Sequence, residues 1–241
     1  MKLNCDMGES FGPWQMGADA ALMPLIDMAN IACGMHASDP VTMRATIALA
    51  REHGVAVGAH PGYPDKVGFG RRAFPLAGEE LADYLLYQIG ALHGLCRAQC
   101  LCLNHIKPHG ALYLAMMREP DTLETIIRAV AAFDAALPLV VQAGTAAANE
   151  QLREQAAPHG VTLCFEAFAD RAYQDDGQLV PRRETGAVHT SATAIIDQAR
   201  ALIDRGEVLT RSGQRLTITA DTLCLHGDNP LSPEVARALR A

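Results

Sequence analysis

The sequence predicts a closed or nearly closed α/β barrel that occupies residues 1–241 as a single domain. Three observations lead there. Short apolar runs alternate with longer segments of helical period, the pattern of parallel βα units. Seven such runs can be counted, close to what a closed parallel barrel needs. No low-complexity tract, charge block or Pro/Ser linker interrupts the 241 residues, a length at which α/β barrels stand as one domain. An open doubly wound sheet is the alternative topology.

Taken in order, the expected strands are 2–6, 30–34, 55–60, 101–106, 139–142, 161–166 and 222–226. Between the second and third, "SDPVTMRATIALAREHG" offers Asp39 as an N-cap, Pro40 at the first helical position and Gly54 just past the end. After the third, Leu81, Leu85, Ile89, Leu92 and Cys96 recur at three- and four-residue steps and give one apolar helix face. Ahead of the last strand, "GEVLTRSGQRLTITADTLCLH" reads as a hairpin turning at Ser212-Gly213.

Composition narrows the functional classes. Apolar residues make up 49% but aromatics only 5%, so the core is expected to be aliphatic. Twenty Lys+Arg against 27 Asp+Glu give a net charge of −7, which argues against a nucleic-acid or anionic-membrane surface. An anionic ligand would then need a local cluster of positive groups. "MKLNCDMGES" has no apolar core of a secretory signal, and no run approaches the roughly 20 apolar residues of a membrane helix. Seven cysteines, an odd number without secretory context, suit reduced thiols in the cytoplasm. Cys96, Cys100 and Cys102 lack any C-x-x-C spacing and are expected to be small buried hydrophobes.

The chemistry gathers where the strands end. The first run closes on Asn4, Asp6 and Glu9, and the second carries Asn30, His36 and Asp39. The third gives His60, Tyr63 and Asp65, and the fourth, "LCLNHIKPHGALY", gives His105, Lys107 and His109. Glu166, Asp170 and Arg171 follow the sixth, and His226, Asp228 and Asn229 the last. A single histidine of this kind is usually structural. Six of seven strands ending this way in a parallel barrel would instead line one pocket at its C-terminal face.

Several chemistries fit such a pocket. Asp6, His36 and His60 are the right types for a divalent metal, although their spacing carries no local signature. Acid–base catalysis needs an imidazole whose tautomer is fixed by a carboxylate, and His226 with Asp228 or His36 with Asp6 would supply it. Lys107 would stabilise an oxyanion or phosphoryl oxygen. In "DKVGFGRRAF", Gly68 and Gly70 allow close backbone approach, and Arg71-Arg72 can clamp carboxylate or phosphate. The same loop reads equally well as a mobile surface segment with solvated arginines. It is neither a Walker A loop nor a dinucleotide fingerprint. A second long loop, 170–183, is a candidate lid.

Seven segments, "NCDMGESFG", "NIACGMHASDP", "GAHPGYPD", "GFGRR", "KPHGALY", "EAFADRAY" and "CLHGDNP", stand in this order between residues 4 and 230. Together they resemble the family of 5-oxoprolinase A subunits, also called the LamB/YcsF or lactam-utilisation family. The departures, such as Met7 and Met35, are apolar. The resemblance implies a distorted, seven-stranded-type β/α barrel related to polysaccharide deacetylases. It further implies ATP-dependent opening of 5-oxo-L-proline (pyroglutamate) to L-glutamate, with ATP cleaved to ADP and phosphate, beside partner subunits B and C.

Under that expectation Asp6, His36, His60, Lys107, His109, His226 and Asp228 are the catalytic candidates. Glu9, Asn30, Tyr63, Arg71, Arg72, Glu166 and Arg171 are the substrate-binding ones. ATP with Mg2+ is the expected cosubstrate, on this chain or on a partner. Lys107→Met is expected to lower turnover and leave the fold intact. Two rival readings remain: a metal-dependent deacetylase or amide hydrolase on the same barrel, and a non-catalytic lactam-binding subunit.

Overall fold

The computed structural model describes residues 1–241. Six parallel strands come first along the chain: β1 (Lys2–Met7), β2 (Met28–Ala32), β3 (Ala56–His60), β4 (His105–Ile106), β5 (Leu139–Gln142) and β6 (Leu163–Phe168). A hairpin of β7 (Glu207–Leu209) and β8 (Arg215–Thr217) follows, and then β9 (Thr222–Leu225) completes a seven-stranded barrel with the first six. β9 pairs with both β6 and β1, so the sheet has no free edge and the open topology is excluded. The helices are α1 (Asp19–Leu22), α2 (Pro40–His53), α3 (Gly78–Arg97), α4 (Gly110–Arg118), α5 (Pro120–Asp134), α6 (Ala146–Ala156), α7 (Ala192–Arg205) and α8 (Ser232–Arg240). No helix is long and apolar enough to cross a membrane.

The local helix signals are realised. The Asp39 carboxylate accepts from the Val41 and Thr42 amides at 2.9 Å, and Gly54 ends α2 in the left-handed region at φ 67°. Such a cap contributes about 1 kcal/mol. α3 buries Leu81, Leu85, Ile89, Leu92 and Cys96 as its period implied, each apolar side chain adding about 1.5–3 kcal/mol on burial. Gln88 interrupts that face. Its amide is buried, taking a hydrogen bond from Gly62 N (2.9 Å) and giving one to Gly62 O (3.0 Å), so α3 is stapled to the turn after β3.

Two expectations need correction. The fourth strand is only His105–Ile106, because Cys100 turns left-handed (φ 60°) after α3 and the chain reaches the sheet late. Its single register pair with β5, Ile106 to Leu139, makes this the irregular seam of the barrel. Of the clustered cysteines Cys96 is buried, whereas Cys100 and Cys102 are exposed on that connection. The antiparallel hairpin forms as expected and lies outside the barrel. There it supports loop 170–183: Arg211 N donates to Tyr173 O at 2.8 Å.

Alternation along the strands sorts the side chains. Leu3, Cys5 and Met7 join the aliphatic core under the helices, while Asn4 and Asp6 turn inward. Barrel interiors are usually filled by Val, Ile and Leu. Here Asn4, Asn30, His105, Lys107, Glu166 and Cys224 fill it, all buried and linked to one another. Gly58 on β3 makes room: a Cβ there would sit 2.1 Å from His105 Nε2.

Candidate active site

The barrel interior forms the floor of the site. Lys107 Nζ lies 2.9 Å from Asp6 Oδ1, 3.0 Å from Glu166 Oε2, 3.2 Å from Asn4 Oδ1 and 3.1 Å from Cys224 Sγ. Asn30 Nδ2 donates to both Asp6 Oδ1 and Asn4 Oδ1 at 2.8 Å. Burial works against both charges, but each holds the other. Asp6, Cys224 and Glu166 keep the ammonium well above its usual range, and His60 and Lys107 hold the Asp6 carboxyl well below its own. Lys107→Met is therefore also a stability change, contrary to the sequence expectation, because it strands two buried carboxylates.

One wall is built of imidazoles from the ends of β2, β3 and β4. His60 Nε2 lies 2.9 Å from His109 Nδ1 and 3.5 Å from Asp6 Oδ2. His36 stacks flat on His109, ring centroids 3.7 Å apart and planes within 3°. Glu9 Oε1 closes the group at 3.8 Å from His109 Nδ1 and 4.0 Å from His36 Nε2. Burial, then neighbouring histidines, hold His36 and His109 well below their usual range, so both rings are neutral at pH 7. Burial raises the Glu9 carboxyl, reinforced by Asp6 and Asp228.

The opposite wall comes from β6, β9 and loop 170–183. His226 Nδ1 lies 2.8 Å from Asp170 Oδ1, and Asn229 Nδ2 donates to the other oxygen at 3.3 Å. Burial would raise the Asp170 carboxyl, but His226 and Arg182 pull it well below the usual carboxylate range. The partner expected for His226, Asp228, is instead 2.8 Å from Arg71 NH2. His36 likewise faces Glu9 rather than Asp6. Arg171 is buried, its guanidinium donating to Val180 O (2.6 Å) and Ala187 O (3.3 Å). With Gln142 Nε2 on Gly177 O at 2.7 Å, these bonds make the expected lid a fastened wall.

Between the walls lies a cavity of about 580 Å³. Asp6, His60, Lys107, His109 and His226 line it, as do Arg71, Arg72 and Arg171. Glu9, Asn30, Tyr63 and Glu166, the other substrate-binding candidates, are not part of its lining. Glu9 sits behind the imidazoles, Asn30 and Glu166 lie inside the barrel, and Tyr63 packs on Phe74 with centroids 6.0 Å apart. His36 lies behind His109. Loop 65–74 is tied down, with Arg72 paired to Asp65 and Phe69 O taking a hydrogen bond from His109.

Residues missed in the sequence are Asp170 as the His226 partner and the arginines Arg118, Arg182 and Arg183, which bring the lining to six guanidinium groups. "FADRAY" flagged Asp170 as a strand-end residue, but no spacing links it to His226. A chain of net charge −7 thus concentrates positive charge at one concave place, as an anionic ligand requires.

Comparison with known proteins gives the family of the chain. The chain is 56% identical over 238 residues to the 5-oxoprolinase A subunit of Chromohalobacter salexigens, covering 99% of this chain and 94% of that one. It is 54% identical over 241 residues to the protein of the same name from Pseudomonas fluorescens, covering 99% and 94%. Its fold matches the crystal structure of the lactam utilization protein from Thermus thermophilus with a TM-score of 0.90 at 45% identity, over 100% of this chain and 94% of that one. The LamB/YcsF family matches residues 1–241, and the chain belongs to that family.

Proposed function

We propose that the chain is the A component of an ATP-dependent 5-oxoprolinase, which opens 5-oxo-L-proline to L-glutamate together with subunits B and C. The observation that carries this reading is the cavity itself. An arginine-lined hollow that suits a small anion holds the His226–Asp170 pair on one side and Lys107 with Asp6 at its floor. The names of the relatives point the same way. All seven cysteines are free thiols, which suits the cytoplasmic setting that the reading assumes.

A lactam is a stable amide, so ring opening needs its carbonyl activated. ATP, with Mg2+ on the partner subunits, supplies that activation by phosphorylating the carbonyl oxygen. The chain's own groups then do the rest. Arg71, with the other arginines of the lining, grips the substrate carboxylate or phosphate. The Asp170 carboxylate accepts from His226 Nδ1–H, which leaves Nε2 free to take a proton from water as it adds to the ring carbon. Lys107, at the floor of the cavity, stabilises the phosphoryl oxygen as a point charge. The C–N bond breaks, the nitrogen leaves as the amine after taking a proton, and a second water releases phosphate.

The test mixes the purified chain with 5-oxoproline and ATP–Mg2+, with and without subunits B and C, and follows glutamate and ADP. Glutamate formed only in the full mixture supports the reading. No glutamate in any mixture overturns it, and a metal-dependent deacetylase or amide hydrolase on another substrate becomes the reading to test. Full activity in a His226→Asn variant would reduce this chain to a lactam-binding subunit.

A further inference from the structure

The imidazole wall poses a question about protons. A backbone carbonyl only accepts hydrogen bonds. His60 Nδ1 lies 2.7 Å from Lys107 O and so carries a hydrogen, and His109 Nε2, 2.9 Å from Phe69 O, carries one too. In neutral rings the remaining nitrogens hold lone pairs, and these face each other across 2.9 Å. Two lone pairs at that separation repel, so the arrangement calls for a positive centre. A shared proton would satisfy that pair and face Asp6 Oδ2, 3.5 Å from His60 Nε2. It would leave His36, buried with both ring nitrogens unpartnered, and Glu9 beside it without a purpose.

We propose that Glu9, His36, His60 and His109 form a binding site for one divalent first-row transition-metal ion. The donor atoms all lie within 4.8 Å of one another, and all four residues are buried. Three imidazoles and one carboxylate favour zinc, cobalt, nickel or iron over magnesium or calcium, which prefer oxygen. The carbonyls that fix the tautomers of His60 and His109 are the outer partners expected behind metal-binding histidines.

Local packing is built around the rings. A Cβ on Gly62 would stand 2.6 Å from His36 Nδ1, and one on Gly70 would stand 2.9 Å from the His109 ring. Charge agrees as well: burial, Asp6 and Asp228 all work against the Glu9 carboxylate, and a cation bound beside it would stabilise that charge. The donor set departs from the Asp6–His36–His60 trio expected from sequence, because Asp6 is engaged by Lys107 and Asn30.

The proposal does not depend on the lactam substrate, and its test does not read activity. The full chain is stripped with a strong chelator and dialysed against buffered Zn2+, and bound metal is counted by mass spectrometry. A parallel titration with Co2+ follows the visible absorption of a nitrogen-bound ion. The expected result is one ion per chain, cobalt absorption that saturates at the same ratio, and binding at least about 100-fold weaker in His36→Gln and His109→Gln.

Circular dichroism and the Tm of the stripped proteins show that the variants fold. If neither histidine variant folds, Glu9→Gln takes their place with the same expectation. Occupancy well below one ion per chain overturns the proposal. So does equal metal content in wild type and variants, which would mean adventitious binding at surface pairs such as His159 with Glu124.

Discussion

The two walls of the cavity use histidine in opposite ways. His226 has a carboxylate behind it: Asp170 fixes its tautomer and leaves one nitrogen free towards the cavity. His60 and His109 have carbonyls behind them, and their other nitrogens point at each other. A carboxylate raises the basicity of a ring and prepares it to move protons. A carbonyl fixes the ring without adding charge and leaves it neutral, as a ligand must be. Under the two proposals, proton transfer belongs to the β6/β9 side and ion binding to the β2–β4 side, above a floor common to both.

The largest effect should come from that floor. Lys107→Met removes the only ammonium facing Asp6 and Glu166, and should cost about 3–5 kcal/mol in chemical denaturation. Glutamate formation should fall with it. Adding Glu166→Gln should restore part of the stability but not the activity. A Lys107→Met protein as stable as wild type would show that the buried pairs carry little net energy.

Next in size is Asp170→Asn. Loss of the carboxylate frees the His226 tautomer, and kcat in the full complex should drop about 10²–10⁴-fold with metal content unchanged. The His36→Gln protein should do the reverse, losing metal. If Asp170→Asn also lost metal, the two walls would not be separate devices. A smaller change is expected for Arg71→Gln, whose guanidinium lines the cavity and is partly exposed beside Asp228. KM should rise about tenfold with kcat nearly unaltered, as for a lost binding contact.

How much of this the sequence disclosed follows from the range of each signal. Local rules carried far: Asp39, Pro40 and Gly54 bounded α2, and the period of Leu81 to Cys96 gave the buried face of α3. Strand ends pointed to one pocket because a parallel barrel gathers them at one mouth, and Asp6, His60, Lys107, His109 and His226 do meet there. Pairing was not legible. Asp228 lies two residues from His226, yet Asp170, 56 residues away, makes the hydrogen bond, since β6 and β9 are neighbours only in space. Glu166 looked like a rim residue, but the register of β6 turns it into the barrel. The buried Gln88 was invisible because its partners lie on another element.

The smallest effect separates the walls by pH. His36 and His109, and His105 beneath them, are neutral in the fold, with burial and then Lys107 pushing His105 down to about 3. Unfolded histidine titrates near 6.5, so below that pH the unfolded chain binds more protons. The stability these rings contribute is therefore complete above about 6.5 and is lost as pH falls towards 3, at up to about 1.4 kcal/mol per pH unit for each such ring, while the raised Glu9 carboxyl works in the opposite direction. Asp170, with its carboxyl lowered, contributes stability that persists until pH falls below the unfolded carboxyl value near 3.9. Denaturation of chelator-stripped protein between pH 7 and 4 should thus report the imidazole side and not Asp170. In His105→Gln the slope should be shallower by one ring, a difference under about 1 kcal/mol at pH 6. An unchanged slope would mean that His105 is already protonated in the fold, and the Asn30 Oδ1 contact at 2.7 Å would then belong to an imidazolium.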